Sequence, residues 1–249
     1  MKRVLHIVSS LGSGSGVLSV LMNYHRQIDR TRLQFDYLSF RQTEGTYESE
    51  ILALGGRVYH CSRPSLASAF QRELESFFRA HAGEYDIIHC HPLFASAVFA
   101  PAAKRHGVTR VIQHSHTSRF SAKPLSAARN LLTLLFFGRR ATDYAACSEA
   151  AKRVFFWVKP QNVYLMENAI DLPRFAFSPE ARSAIRNAYQ IPEDAVVLGH
   201  VGRFSREKNH KFLLEVFAQY LLLQPSARLL LIGDGEEMDA VRRQAEGLG

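Results

Sequence analysis

The 249-residue chain has three cysteines and no long apolar run, and each scarcity excludes something. Cys61, Cys90 and Cys147 are an odd number at wide spacing, the pattern of reduced thiols and not of a disulfide framework. The longest apolar run, Leu131 to Phe137, is broken by Thr133 and ends at Gly138-Arg139-Arg140. That is well short of the roughly 18–20 residues a spanning helix needs. Met1-Lys2-Arg3 leads straight into Val4-Leu5-His6-Ile7-Val8 with no cleavage signal, so no secretory leader is expected and residence in the cytoplasm is. No repeat of fixed short period and no low-complexity tract is present. With 47% hydrophobic and 22% charged residues, disorder, collagen-like and coiled-coil classes fall away.

Carboxylates are missing from one long stretch. Between Asp86 and Asp143 no Asp or Glu occurs, while Lys104, Arg105, Arg110, Arg119, Lys123, Arg129, Arg139 and Arg140 do. Outside that stretch basic and acidic residues balance, so the whole net charge of +8 is regional. The same stretch holds His89, His91, His106, His114 and His116. A local basic excess fits a surface or site for anionic groups: nucleic acid, phospholipid headgroups or phosphorylated small molecules. Nucleic acid is set aside because no zinc-finger, helix-turn-helix or RNA-platform motif accompanies the charge.

What is present is a regular alternation of strand and helix patterns. Arg3–Val8 reads as a strand, Gly16–Ile28 as a helix and Leu33–Phe40 as a strand. Helices over Ser49–Leu54, Leu66–His81 and Ser96–His106 then alternate with strands over Arg57–His60, Asp86–His89 and Arg110–His114. Leu125–Phe137 follows as an amphipathic helix, Tyr144–Cys147 as a strand, Glu149–Trp157 as a helix and Val163–Met166 as a strand. This is an α/β chain of right-handed βαβ units with a parallel sheet covered on both faces. A proline-containing stretch from Asn168 to Glu180 divides it. Beyond it the pattern restarts with helix Ala181–Tyr189, strand Val196–Val201, helix Lys208–Leu222, strand Arg228–Ile232 and helix Glu236–Glu246. The expected domains are 1–168, complete, and 169–249, the first part of a second α/β unit.

Ligands of open parallel sheets bind beyond the carboxyl ends of the strands, and four such places stand out. The first strand runs into Ser9-Ser10-Leu11-Gly12-Ser13-Gly14-Ser15-Gly16 before a helix. Close backbone approach to an anion at the helix N-terminus and a plain flexible turn both remain open there. A dinucleotide fingerprint fails on the glycine spacing and on the lack of an acid after the second strand, which removes a nicotinamide-dependent oxidoreductase. His89-Cys90-His91 and His114-Ser115-His116 end the fourth and fifth strands, which adjacency could bring together. Metal ligation is weighed and not adopted. Residues alternating along a strand are expected to face opposite sides, so both histidines of a pair would reach one ion only if the strand ends within the pair. A single neutral histidine at a sugar or phosphate is the simpler expectation, and histidines that merely satisfy loop carbonyls remain an alternative. The strongest signal runs from Gly199 to His210: Gly202 ends a strand, Arg203 follows at once, and Lys208 stands at the start of a helix. A guanidinium fork, an ammonium and helix N–H groups about one point suit a diphosphate. Gly233-Asp234-Gly235 ends the next strand in the same way.

Taken in order, these pieces resemble the retaining glycosyltransferase family 4, nucleotide-sugar enzymes of the GT-B fold with two facing Rossmann-like domains. They are the Gly-rich loop, Asp86-Ile87-Ile88-His89-Cys90-His91, His114-Ser115-His116-Thr117, Ala146-Cys147-Ser148, Asn168-Ala169-Ile170-Asp171, Gly202-Arg203-Phe204 through Lys208-Asn209-His210, and Leu231-Ile232-Gly233-Asp234-Gly235. The flavour is that of bacterial capsular and exopolysaccharide enzymes. The resemblance implies transfer of a sugar from a UDP- or GDP-linked donor to a hydroxyl acceptor, with retention, no cofactor and no obligatory metal. It makes His116 the catalytic candidate, with His114 second and His91 beside them. It makes Gly16 the phosphate-approaching glycine, Gly202, Arg203 and Lys208 the diphosphate contacts, and Asn168 and Asp171 part of the hinge-side segment.

Two departures qualify the resemblance. Ser15 stands where the family pairs a second glycine with Gly16, and Leu18 where an acid is common, so backbone approach at this loop is expected to be altered. The family's Glu-x7-Glu motif would lie beyond Gly249, so the chain is expected to correspond to about two thirds of an enzyme. The alternative expectation is a catalytically inactive protein that binds nucleotides or associates with anionic membranes. Leu125–Phe137, flanked by Lys123, Arg129, Arg139 and Arg140, resembles an interfacial helix. A buried core helix with basic ends is the equal alternative. Peripheral attachment of the 119–140 region to the inner face of the membrane, with a lipid-linked saccharide acceptor, is the corresponding expectation.

Overall fold

A computed structural model describes residues 1–121, 124–155, 158 and 160–248. Lys123 and Trp157, both named above, lie outside the described residues. The chain divides into two compact units, Met1–Asp171 and Leu172–Gly249.

The first unit is built on seven strands: β1 (Lys2–Val8), β2 (Leu33–Ser39), β3 (Val58–His60), β4 (Ile87–Cys90), β5 (Arg110–Ser115), β6 (Asp143–Ala146) and β7 (Tyr164–Leu165). Their order is β3-β2-β1-β4-β5-β6-β7, and every neighbouring pair is parallel. The winding direction reverses between β1 and β4, which opens a crevice at their carboxyl ends. Alternation along β1 splits the core in two. Val4 and Val8 face Leu18, Leu21 and Met22 of α1 (Gly16–Gln27) and Ile51 of α2 (Glu48–Ala53). Leu5 and Ile7 face the opposite layer, with Phe70, Leu74 and Phe78 of α3 (Ser68–Ala80), Phe99 of α4 (Ala95–Arg105) and Leu134 of α5 (Pro124–Phe137). The buried positions 18, 21, 22 and 25 of α1 recur at helical spacing, so one stripe supplies the whole contact.

One buried ion pair ties the central strands together. Asp36, fully buried in β2, accepts from Arg3 Nε at 2.9 Å and Nη2 at 2.7 Å, from the Tyr85 hydroxyl at 3.0 Å and from the Arg57 backbone N–H at 2.8 Å. Four donors leave little of the carboxylate's desolvation uncompensated.

Departures from the sequence expectation are local. Of the helix expected over Glu149–Trp157, the described residues form α6 (Glu149–Lys152), which tightens into a 3₁₀ turn at Arg153–Phe155 where Val154 and Phe155 are buried. The strand at Val163–Met166 shrinks to two residues, as suits a sheet edge.

The second unit holds α7 (Pro179–Ala188), β8 (Val197–Val201), α8 (His210–Leu221), β9 (Arg228–Ile232) and α9 (Met238–Leu248). Ser178 caps α7 by accepting from Ala181 N at 3.0 Å, and Pro179 opens the helix, the arrangement those residue types favour. Strands β8 and β9 pair in parallel, and Phe204, Leu214 and Val241 form the core beneath. The helix expected from Lys208 begins at His210, because Arg206–Lys208 forms a 3₁₀ turn and Asn209 takes a left-handed conformation at φ 49°. Gly233 and Gly235 sit at φ 152° and 154°, where an added Cβ would collide with the carbonyls of Gly202 and Phe204. Only glycine lets the loops after β8 and β9 pack backbone on backbone.

Candidate functional site

The register of the central strands gathers the histidines. His6 of β1 lies directly across from His89 of β4, and β5 pairs on the other side of β4 so that His114 falls at its carboxyl end. Residues i and i+2 of a strand share a face, so His89 and His91 project together, as do His114 and His116. Their ring centroids lie 4.3 Å and 4.0 Å apart. This corrects the expectation that members of a pair face opposite sides. His91, His114 and His116, all sequence candidates, are therefore brought together with His89 and with His6, which the sequence did not single out as a site residue.

The rings form two hydrogen-bonded series. His6 Nδ1 lies 3.0 Å from His91 Nε2, and His91 Nδ1 lies 2.8 Å from His116 Nε2. His89 Nε2 lies 3.1 Å from His114 Nδ1. Each contact needs one N–H and one lone pair, which two neutral rings supply. Burial keeps them so: it is the largest cause lowering all five, to about 3 at His89, about 2 at His114 and about 4 at His116, and well below the ordinary histidine value at His6 and His91. Neighbouring imidazoles add repulsion at every ring except His116. His6 Nε2 is buried without a partner, and a stranded N–H costs more than a stranded lone pair. Protons are therefore best placed on His6 Nδ1 and His91 Nδ1, which makes His116 accept at Nε2 and carry its own proton on Nδ1. His116, half-buried at the end of the series, is thus a neutral hydrogen-bond donor through Nδ1.

Two sets of three imidazoles, His6/His89/His91 and His91/His114/His116, have ligand atoms within 4.8 Å of one another. That donor set could hold a zinc-like ion. Both ring nitrogens of His91 are engaged, so ligation through it would displace a hydrogen bond of the series.

Gly16 opens α1 on the same edge of the sheet, after β1. A Cβ at Gly14 or Gly16 would meet nothing within 4 Å, leaving the loop open to a ligand. Ser15 accepts from Leu18 N at 3.3 Å, so the residue in place of the second glycine occupies one helix-terminal N–H that an anion would otherwise use. The loop is fastened to residues 43–47 through Ser13 N to Gly45 O at 2.8 Å and Tyr47 N to Leu11 O at 3.0 Å. Asn168 is exposed and Asp171 half-buried. Their segment is tied to α1, with Tyr24 donating to Glu167 O at 2.7 Å and Asn23 to Ala169 O at 2.8 Å.

In the second unit Arg203 and Lys208 are both exposed beside Gly202. The aliphatic carbons of Lys208 lie 3.5 Å from where a Gly202 Cβ would stand. Arg203 Nη2 meets Glu236 Oε2 at 3.0 Å, a solvated pair that a more highly charged anion can replace at little cost. Beneath them His210 is buried and stacks on Phe204 at 4.2 Å.

Residues 14–174 match the description Glycosyltransferase Family 4, and residues 181–249 match Glycosyl transferases group 1. The chain belongs to glycosyltransferase family 4. It is 34% identical to "Putative glycosyltransferase EpsF" of Bacillus subtilis (strain 168) across 98% of its own length and 65% of that protein's. It is 23% identical to the GDP-mannose-dependent alpha-(1-6)-phosphatidylinositol monomannoside mannosyltransferase of Mycolicibacterium smegmatis, over 94% of the chain and 61% of the relative. The chain thus spans under two thirds of these family members' length. Among solved structures, Anabaena HepE in complex with UDP and glucose superposes with a TM-score of 0.77 at 20% identity, over 100% of this chain and 67% of that one. A glycosyltransferase from Rickettsia africae ESF-5 superposes at 0.75 and 14% identity, over 99% and 65%. The fold is the α/β GT-B class expected from the motifs.

The buried imidazoles give stability a defined pH dependence. Their folded-state values lie below the ordinary histidine value, so the unfolded chain binds more protons. Stability is then fully present above about pH 6.5 and is lost as pH falls toward about 4. Thermal unfolding of the chain between those limits is expected to show a midpoint that falls steadily on acidification. A midpoint indifferent to pH across that window contradicts neutral burial of the cluster.

Proposed function

We propose that this family 4 chain carries the acceptor-side unit and the diphosphate-binding elements of a glycosyltransferase. It moves a sugar from a UDP- or GDP-linked donor to a hydroxyl of a polysaccharide or lipid-linked saccharide precursor, in exopolysaccharide or capsule synthesis. Configuration is retained, and neither a cofactor nor a metal is required. The observation that carries this reading is the pairing of exposed Arg203 and Lys208 around Gly202. Two cations at the end of a strand can stabilise the negative charge that develops on a departing nucleoside diphosphate. Related proteins support it: Anabaena HepE is described with UDP-glucose, and the mycobacterial relative is named GDP-mannose-dependent.

In the first unit, His116 offers Nδ1–H to a sugar hydroxyl or phosphate oxygen, with His91 fixing its tautomer and His114 packed beside it. The open backbone at Gly16 admits a phosphate, and Asn168 and Asp171 supply polar contacts from the segment tied to α1. Because His116 is neutral, its part is hydrogen bonding and not ion pairing.

Peripheral attachment to the inner membrane face belongs to the same reading. No helix among the described residues is long and apolar enough to cross a membrane. On α5, however, Leu125, Leu132, Leu135 and Phe136 are exposed, and only Leu134 is fully buried. That apolar surface lies beside Arg129 and Arg139, as on an interfacial helix.

Two measurements test these parts. UDP or GDP is expected to raise the thermal midpoint of the chain, and Arg203→Ala to remove the rise. No rise with either nucleotide at millimolar concentration contradicts the donor reading. Vesicles containing anionic phospholipid are expected to co-sediment the chain, and Arg139→Glu to weaken that association. Co-sedimentation that ignores this reversal removes the membrane reading.

A further inference from the structure

A cavity of about 740 Å³ in the first unit is unlike the histidine edge in chemistry. Its apolar lining comes from Phe94 and Val98 at the start of α4 and from Phe137 at the end of α5, with the Phe40 ring tilted against Phe94 at 6.1 Å between centroids. Its charged lining is Arg41, Arg63 and Arg129, all exposed. These arginines come from the loops after β2 and β3 and from α5, and no carboxylate pairs with any of them among the described residues. Arg129 lies 5.7 Å above the Phe94 ring, and its guanidinium donates to the neutral amide oxygen of Asn130.

Several other basic residues of the first unit have partners. Arg105 pairs with Glu75 and Arg110 with Asp143, while Lys104 and Arg140 donate to the carbonyls of Arg140 and Ala97. What sets Arg41, Arg63 and Arg129 apart is that three guanidinium groups without a carboxylate partner among the described residues line one apolar hollow. Guanidinium forks match phosphate oxygens, while aromatic and aliphatic walls match hydrocarbon. The volume is that of a small-molecule site.

Position narrows the ligand further. Ser9, just beyond β1, and Phe94, three residues after His91, both line the cavity. Both follow the carboxyl ends of strands that carry histidines of the cluster, so the cavity lies on the same edge of the sheet. Arg129, Thr133 and Phe137 present one side of α5 to the hollow, while Leu132, Leu135 and Phe136 of the same helix are exposed. A hydrocarbon chain entering along α5 would run over apolar surface until it met the arginines.

We propose that this cavity binds the phosphorylated lipid carrying the acceptor: its phosphate on Arg41, Arg63 and Arg129, and the first part of its hydrocarbon chain against Phe94, Val98 and Phe137. In naming the lipid an acceptor, this rests on the glycosyltransferase reading; the binding itself does not. The contact is noncovalent. The lipid's distal hydroxyl-bearing end is left toward the histidine edge.

Decyl phosphate below its micelle concentration is the probe, with calorimetric titration of the folded chain as the readout and decanol and inorganic phosphate as comparisons. Saturable binding is expected, with both comparison ligands about 10-fold or more weaker. Arg41→Glu/Arg63→Glu is expected to abolish binding while circular dichroism and the nucleotide-induced thermal shift stay unchanged. Arg79→Glu, on exposed α3 surface outside the cavity, should leave decyl phosphate binding intact. Equal affinity for decanol, or for inorganic phosphate, overturns the proposal. So does binding indifferent to the double reversal, or lost equally with Arg79→Glu. Lipid phosphate binding without a nucleotide shift supports the cavity and counts only against the donor reading.

Discussion

Desolvation of five imidazoles at the carboxyl edge of the sheet is the constraint on which the candidate site depends. Once His6, His89, His91, His114 and His116 are packed ring against ring, no more than one charge could be carried without strong repulsion and a large solvation cost. The rings stay neutral, and neutrality makes each a single donor and single acceptor. From that follow the 3.0 and 2.8 Å contacts through His91, the tautomer of His116 and its part as a donor toward a polar ligand. The strand register that places His6 opposite His89 is in turn held by the core on both faces of β1. A shift of one residue would turn His6 into the layer of α3 and α4.

The alternation of strands and helices was legible because short β-branched runs and helical stripes are separated by Gly- and Pro-containing turns. The histidine pairs were visible too, since two His-x-His runs end predicted strands. His6 was not, because one histidine inside Val4-Leu5-His6-Ile7-Val8 looks like an ordinary strand residue until its cross-strand neighbour is known. The two-residue period of strands puts both members of each pair on one face, the face of β1 that carries His6.

The basic region is plain in the linear sequence, but its form in space is not. Glu75 and Asp143, which lie outside the acid-free stretch, return in space to Arg105, His106 and Arg110. Meanwhile Arg41 and Arg63, also outside it, join Arg129 around the cavity. Linear distance hides both effects, because parallel strands bring together loops that are tens of residues apart. In the second unit, Gly233-Asp234-Gly235 was readable as a strand-ending loop. That its glycines permit contact with the backbone of Gly202 and Phe204 required the fold.

Nitrogen-15 spectra of the histidine side chains, followed from about pH 8 to about pH 5, test the neutrality of the cluster most directly. The account predicts neutral rings at all five positions across that range, with the His116 proton on Nδ1. An imidazolium signal from His91, His114 or His116 titrating near the ordinary value of about 6.5 would contradict it.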